Sequence, residues 1–404
     1  MKSTIHLLFT AFMFCAYTSL NTTDPVKKTK RDDLNKSGYT YAVNVSKINS
    51  KYSEIASGTF RNRLVIVSSK KIGALGNGVD PITNEPFTDL FCTSINSYGE
   101  LSQPLLFSRI INTKDNEGQV AFSPNEYTMY YTRSQRTNSS NYKLFKAELE
   151  KDSYGNWINE LELAISSDDY SIENPHVSND GAYLYFSSNM KGGFGGFDIY
   201  KAPINDDGSL GTPENLGNTI NTSSDEKYPH TTKDGKELFF SSKGHNSIGG
   251  FDIFISNIIN NDYKSPRNLG HNINSDKDEI AFIFLDNEKG VFSSNKNNEH
   301  NAFNLYRFKS RAIYQELKGI VITEEDKILP NATVVLLNSE GQELERQITS
   351  KDASYSFKIK AYEDYQLVVI KEGFKDYTLK FQSEETQLKA ILKLSSKVSY
   401  NQKH

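Results

Sequence analysis

Two histidines, two aspartates and a recurring glutamate are the residues of this chain best placed to do chemistry. His176 and His230 stand 54 residues apart, and each follows a proline at the start of an apolar strand pattern. Two imidazoles facing one space could hold a metal, because neutral imidazole is a common zinc donor. No third ligand is set by spacing, so the pair reads as polar lining of a wet channel. Asp198 and Asp252, also 54 apart, close the stretches GGFGGFD and SIGGFD. The first resembles the calcium nonapeptide G-G-x-G-x-D but carries one residue too many, and the second has lost its first glycines. Calcium turns of that type also need many consecutive copies. These aspartates therefore read as acceptors for backbone N–H groups in glycine-rich hairpins.

Glu54, Glu117, Glu173, Glu226 and Glu279 each follow an Ile-Asn or Ile-Ser pair. A carboxylate repeated with the fold suggests a turn acceptor. A glycosidase would instead break the symmetry with one carboxylate pair at a set separation. No G-x-S-x-G elbow marks a serine hydrolase. The reading is no catalytic, metal or cofactor residue, with His176, His230, Asp198 and Asp252 as channel or turn residues.

The elements that must position these residues follow from a repeat. SNDGAYLYFSS from Ser178 returns as TKDGKELFFSS from Thr232, with SPNEYTMYYTR from Ser123 as a relative. Asp-Gly supplies the tight turn between two antiparallel strands. A third strand recurs at Asp89-Leu90-Phe91, Lys143-Leu144-Phe145, Asp198-Ile199-Tyr200, Asp252-Ile253-Phe254 and Asn304-Leu305-Tyr306. A fourth opens on an apolar residue with Pro or Glu three positions on: Leu101/Pro104, Trp157/Glu160, Leu210/Pro213 and Tyr263/Pro266. Proline suits an outer edge, where its missing N–H is not needed. Four strands per repeat and five repeats predict a five-bladed β-propeller. The fifth repeat lacks its fourth strand, and YTYAVNV from Tyr39 runs into Ile48-Asn49 as the other fourth strands run into theirs. The N-terminal strand is therefore expected to complete the last blade and remove a free sheet edge. Residues 73–87 read as an insertion in the first blade.

After the propeller, residues 39–311, the pattern shifts to about seven short alternating strands over residues 312–396, a small β-sandwich. Residues 397–404 read as a tail. Residues 1–20 read as a signal peptide, with Lys2 before a short apolar run, and 21–38 as a polar linker. Cys15 follows Phe14 rather than a small residue, which argues against lipid attachment. Net charge is −4 with no basic stripe, which excludes a nucleic-acid binder.

The columns SxDGxxLYFSS, GGxGGFDIY and P-x-NLG resemble the WD40-like repeats of TolB-type periplasmic propellers. Gly319-Ile320-Val321, Leu329-Pro330-Asn331-Ala332 and Tyr355-Ser356-Phe357 resemble a carboxypeptidase-regulatory-like sandwich, with Ala353 where such domains carry a turn glycine. The order of the two resembles the OmpA-family outer-membrane proteins of type IX secretion and gliding, without their peptidoglycan-binding OmpA domain. The resemblance implies an exported, non-enzymatic scaffold in the periplasm or at the outer membrane. Its expected partners are envelope proteins or secretion-complex subunits, or a glycan, and it needs no cofactor. A carbohydrate-active propeller enzyme is the alternative.

Overall fold

The computed structural model describes residues 34–70, 78–298, 301–383 and 389–395. The expected signal peptide and tail lie outside these residues. Five antiparallel sheets form the blades of a propeller. The first strands, innermost in each blade, are Glu54–Phe60, Asn116–Phe122, Ile172–Val177, Glu226–Thr231 and Glu279–Phe284. Each lies against the next, and the fifth lies against the first, so the ring is closed.

Closure comes from the N-terminal strand Tyr39–Val45, which pairs antiparallel with Asn304–Ala312, Val43 opposite Phe308. Tyr41 is buried there and meets Phe282 and Phe308 edge-on. The end of the expected linker is packed rather than loose: Lys36 donates its N–H to the Asn268 carbonyl, and Asn35 is buried. Three of the outer strands are shorter than the sequence pattern suggests, while that of the second blade runs over Trp157–Glu162. Leu101 and Leu210 form single bridges, and two-residue strands follow Pro104, Pro213 and Pro266.

Two repeated side-chain contacts tie neighbouring blades. In the first, the Asn of each Ile-Asn pair both accepts from and donates to one third-strand residue of the preceding blade. Asn49 clips Leu305, Asn112 clips Leu90, Asn221 clips Ile199 and Asn274 clips Ile253, all at 2.8–3.0 Å. Ser166 does the same to Leu144 with one hydroxyl. The preceding isoleucines Ile48, Ile111, Ile220 and Ile273 are buried. In the second contact, Ser53, Asn116, Ser171, Asp225 and Asp278 each accept the N–H that opens a third strand, at 2.8–3.0 Å.

The glutamate column divides. Glu117, Glu226 and Glu279 accept both the N–H and the hydroxyl of a Thr or Ser four residues earlier, and Glu54 does so with Ser50. Glu173 instead meets Lys227 of the next blade at 2.8 Å.

The sandwich has a three-stranded and a four-stranded sheet. Its core joins Leu317, Val321, Val334, Leu336, Phe357, Leu367 and Leu392. Ala353 takes φ +62° and is fully buried, a left-handed conformation that favours glycine.

Replacing a clip residue tests this scheme. Asn274→Ala leaves the buried N–H of Ile253 without its acceptor, while the Ile253 C=O keeps only the Leu269 N–H, and should cost about 1–3 kcal/mol in urea unfolding. Asn274→Ser, which copies the natural clip at Ser166, should lose less than half as much. Equal losses for the two variants would contradict the clip.

Candidate functional site

Each innermost strand carries a bulge, between Ala56 and Gly58, Glu117 and Val120, Glu173 and His176, Lys227 and His230, and Ile280 and Ile283. Asn174, Tyr228 and Ala281 take φ near +55° at the bulge in three blades. A bulge re-aims the side chains that follow it. Here His176, His230, Val120 and Ile283 all line the central channel. The channel widens into a cavity of about 1300 Å³ at the face carrying the turns between first and second strands. One side of its wall is polar, with Asn174, His176, His230 and Thr231, and the other is apolar, with Val120, Phe122, Ile283 and Phe284.

The imidazoles meet directly. His176 Nδ1 lies 3.1 Å from His230 Nδ1, with ring centroids 4.4 Å apart. The N–H of Thr231 donates to His176 Nε2 at 3.0 Å, and the Thr231 hydroxyl lies 2.8 Å from the same nitrogen. His176 Nε2 is therefore a lone-pair acceptor, and the neutral ring carries its proton on Nδ1, donating to His230 Nδ1. His230 then carries its proton on Nε2. A metal at either Nδ1 would have to displace the proton of one ring and the bond of the other. No group of three or more His, Cys, Asp or Glu suited to a metal occurs among the described residues. Burial pushes both rings down: His230 to about 4, and His176 well below the ordinary value, with His230 adding to the effect.

Asp198 and Asp252 sit away from the cavity, in the turns before third strands. Asp198 accepts the N–H groups of Phe194 and Gly195 and the amide of Asn215 at 2.6–3.0 Å. Asp252 accepts those of Ile248 and Gly249 and the amide of Asn268 at 2.7–3.3 Å. The structure does not bring these aspartates together with the histidines. The glycines of the same turns serve packing. A Cβ on Gly195 would fall 1.9 Å from the Ser224 carbonyl of the next blade, and one on Gly249 would fall 2.5 Å from that of Ser275.

The sequence pattern gave no sign that the sandwich reaches the cavity. Lys360 and Glu363 line it beside Tyr39 and Glu237. Lys360 Nζ bonds the Tyr39 hydroxyl at 2.8 Å, Glu237 Oε1 at 3.0 Å and Glu363 Oε1 at 2.8 Å. Burial works against the ammonium, but Glu237 and Glu363 outweigh it and hold Lys360 well above the ordinary lysine range. The turn is pinned again at Tyr362, φ +60°, whose carbonyl accepts from Arg267 at 2.7 Å and Asn257 at 3.2 Å. The insertion is likewise tied down where described. Glu85 accepts from Ser53 and Ser69, and Asp80 from Ser139.

No family model matches the chain, and no curated protein matches it in sequence. Among solved structures it is similar to TolB from Acinetobacter baumannii, 14% identical over 64% of this chain and 54% of that one, TM-score 0.35. It is also similar to a GH43 endo-arabinanase from Bacillus licheniformis, 14% identical over 75% and 99%, TM-score 0.40. A structure described as a glycoside hydrolase is 10% identical over 68% and 92%, TM-score 0.47. The chain spans about half the length of the TolB structure. At these scores the likenesses add no argument to the strand pairings, which define the propeller and sandwich by themselves.

The histidine pair should make stability depend on pH. Unfolded imidazoles take up protons near pH 6.5, whereas folded His230 resists until near pH 4 and His176 is likewise held well below the ordinary value. The pair's contribution is thus full above about pH 6.5 and lost as pH falls toward 4. Between pH 7 and 4.5 the wild type should lose about 4 kcal/mol more than a His176→Asn/His230→Phe variant, about 2 kcal/mol for each imidazole. Other groups titrate in this range, so the difference between the two unfolding curves is the readout. Parallel curves would overturn the assignment.

Proposed function

We propose that this chain is an exported, non-catalytic binding scaffold of the cell envelope that takes its partner at the channel mouth. One observation carries the reading. The mouth is built from five interlocked strands and a pinned sandwich turn, with His176, His230 and Lys360 bonded to other wall groups before any partner arrives. Preorganisation of that kind lowers the ordering cost of association. The half-apolar, half-polar wall suits an envelope protein or secretion-complex subunit, with a glycan as the second ligand class.

The repeat columns and their resemblance to TolB-type and outer-membrane secretion proteins support the envelope setting, as does the leader pattern of residues 1–20. The regulatory-like resemblance of the sandwich fits a supporting module, and its turn forms part of the wall. Glu237 and Glu363 are engaged by Lys360. That placement favours binding over glycoside hydrolysis, in which one carboxyl must be free to transfer a proton.

Capture from detergent-solubilised envelopes by the C-terminally tagged protein, read by mass spectrometry, tests the proposal. Wild type should enrich a small set of envelope proteins. Asn179→Trp/Asn287→Trp, at two exposed mouth turns, should cut that enrichment at least tenfold. Thr378→Trp, on an exposed position of a sandwich strand, should leave it unchanged. Enrichment that survives the mouth variant would refute the site.

A further inference from the structure

The two imidazoles hold between them two lone pairs that a proton could reach, and both are already used. His176 Nε2 accepts the Thr231 N–H, and His230 Nδ1 accepts the His176 Nδ1–H. A third proton therefore has no vacant nitrogen. On His176 Nε2 it would displace the backbone bond of Thr231 and be accepted by the Thr231 hydroxyl, 2.8 Å away, whereas on His230 Nδ1 it would displace the bond between the rings, leaving N–H facing N–H. Both bonds cross the seam between the third and fourth blades, so their loss alters the channel wall itself.

The surrounding groups do not take over the charge change. On the strand of His176, Glu173 is paired with Lys227 of the neighbouring strand. From Tyr183–Ser188, Tyr185 lies over His176 and shares its hydroxyl with Tyr263. On Glu226–Thr231, Tyr228 lines the same cavity. From Glu237–Ser242, Phe239 stands opposite His230, and Glu237 is held by Lys360. Asn116–Phe122 contributes Gln119, Val120, Ala121 and Phe122, and Glu279–Phe284 contributes Ala281, Phe282, Ile283 and Phe284. Imidazole is the side-chain type whose ordinary titration lies between neutral and mildly acidic pH.

We propose that the His176–His230 contact is a proton-operated lock on the channel. Neutral, the rings bond each other and keep the seam closed. On protonation at His230 Nδ1 the bond between them breaks, and a cationic imidazole turns into the channel. Its consequence, release of a partner in acid, rests on the reading of the mouth as a binding site, whereas the lock itself does not.

Long-range ¹H–¹⁵N spectra of the imidazoles, with the Thr231 amide, followed from pH 8 to 4 on the full chain, test the lock. At pH 8 His176 should show its proton on Nδ1 and His230 on Nε2. Both rings and the Thr231 amide should then change together below pH 5. In His176→Phe, or in His176→Ala if the first variant folds poorly, His230 regains a free lone pair. Its midpoint should rise by at least one pH unit. Rings that titrate independently near pH 6.5, or a His230 midpoint unmoved by the substitution, would rule the lock out. No partner enters this measurement, so it can fail while capture succeeds, and succeed while capture fails.

Discussion

The structure depends on a side chain reaching back. As the chain enters each blade, an Asn or Ser hydrogen-bonds the N–H and C=O of one residue in the third strand of the blade before it. Each of those carbonyls also accepts a backbone N–H of the outer strand, from Ser46, Phe107, Leu163, Leu216 or Leu269, whereas the buried N–H groups rely on the clip for their acceptor. A blade's sheet satisfies itself, but nothing in a β-sheet fixes the angle to the next sheet. The clip supplies that angle five times around. At about 2 kcal/mol for each pair of bonds, the set is comparable to the whole net stability of a typical domain. The last clip, Asn49 to Leu305, joins the first repeat to the last across the seam that Tyr39–Val45 closes.

This explains how much of the fold the sequence disclosed. The clip needs a short side chain that both donates and accepts, met by Asn in four repeats and Ser in one, so Ile-Asn recurs visibly, and the Asp-Gly turns recur because their geometry is as narrow. The closing strand was legible because Tyr39–Val45 leads into Ile48-Asn49 as the other outer strands lead into theirs. The second inter-blade acceptor was harder to see. Ser53, Asn116, Ser171, Asp225 and Asp278 do one job with three residue types. Any short side chain with an acceptor oxygen suffices, and such freedom erases the column. Glu173 shows the converse: it shares the glutamate column by type, yet its carboxylate serves Lys227.

The site was legible only in part. Proline before His176 and His230, at the repeat spacing, is enough to place both at equivalent points of adjacent blades. Their mutual bond depends on bulges at Asn174 and Tyr228, which take left-handed backbone that neither residue announces. The sandwich's share of the mouth was not legible at all. Lys360 and Glu363 belong to a different domain pattern from Glu237 and Tyr39, and no spacing links residues so far apart in sequence. Physically, these two parts are one device. The ring sets the width and wall of the channel, and the Lys360 cluster fixes the sandwich turn at its rim, so the mouth has one shape.

Amide hydrogen exchange at the five clipped residues, Leu90, Leu144, Ile199, Ile253 and Leu305, tests the interlocked ring most directly. The account predicts that all five exchange together through global unfolding, with the amides of Tyr39–Val45 that bond to Asn304–Ala312 equally protected. Fast, independent exchange of those paired amides and of Leu305, while the other four stay protected, would show an open stack of blades and contradict it.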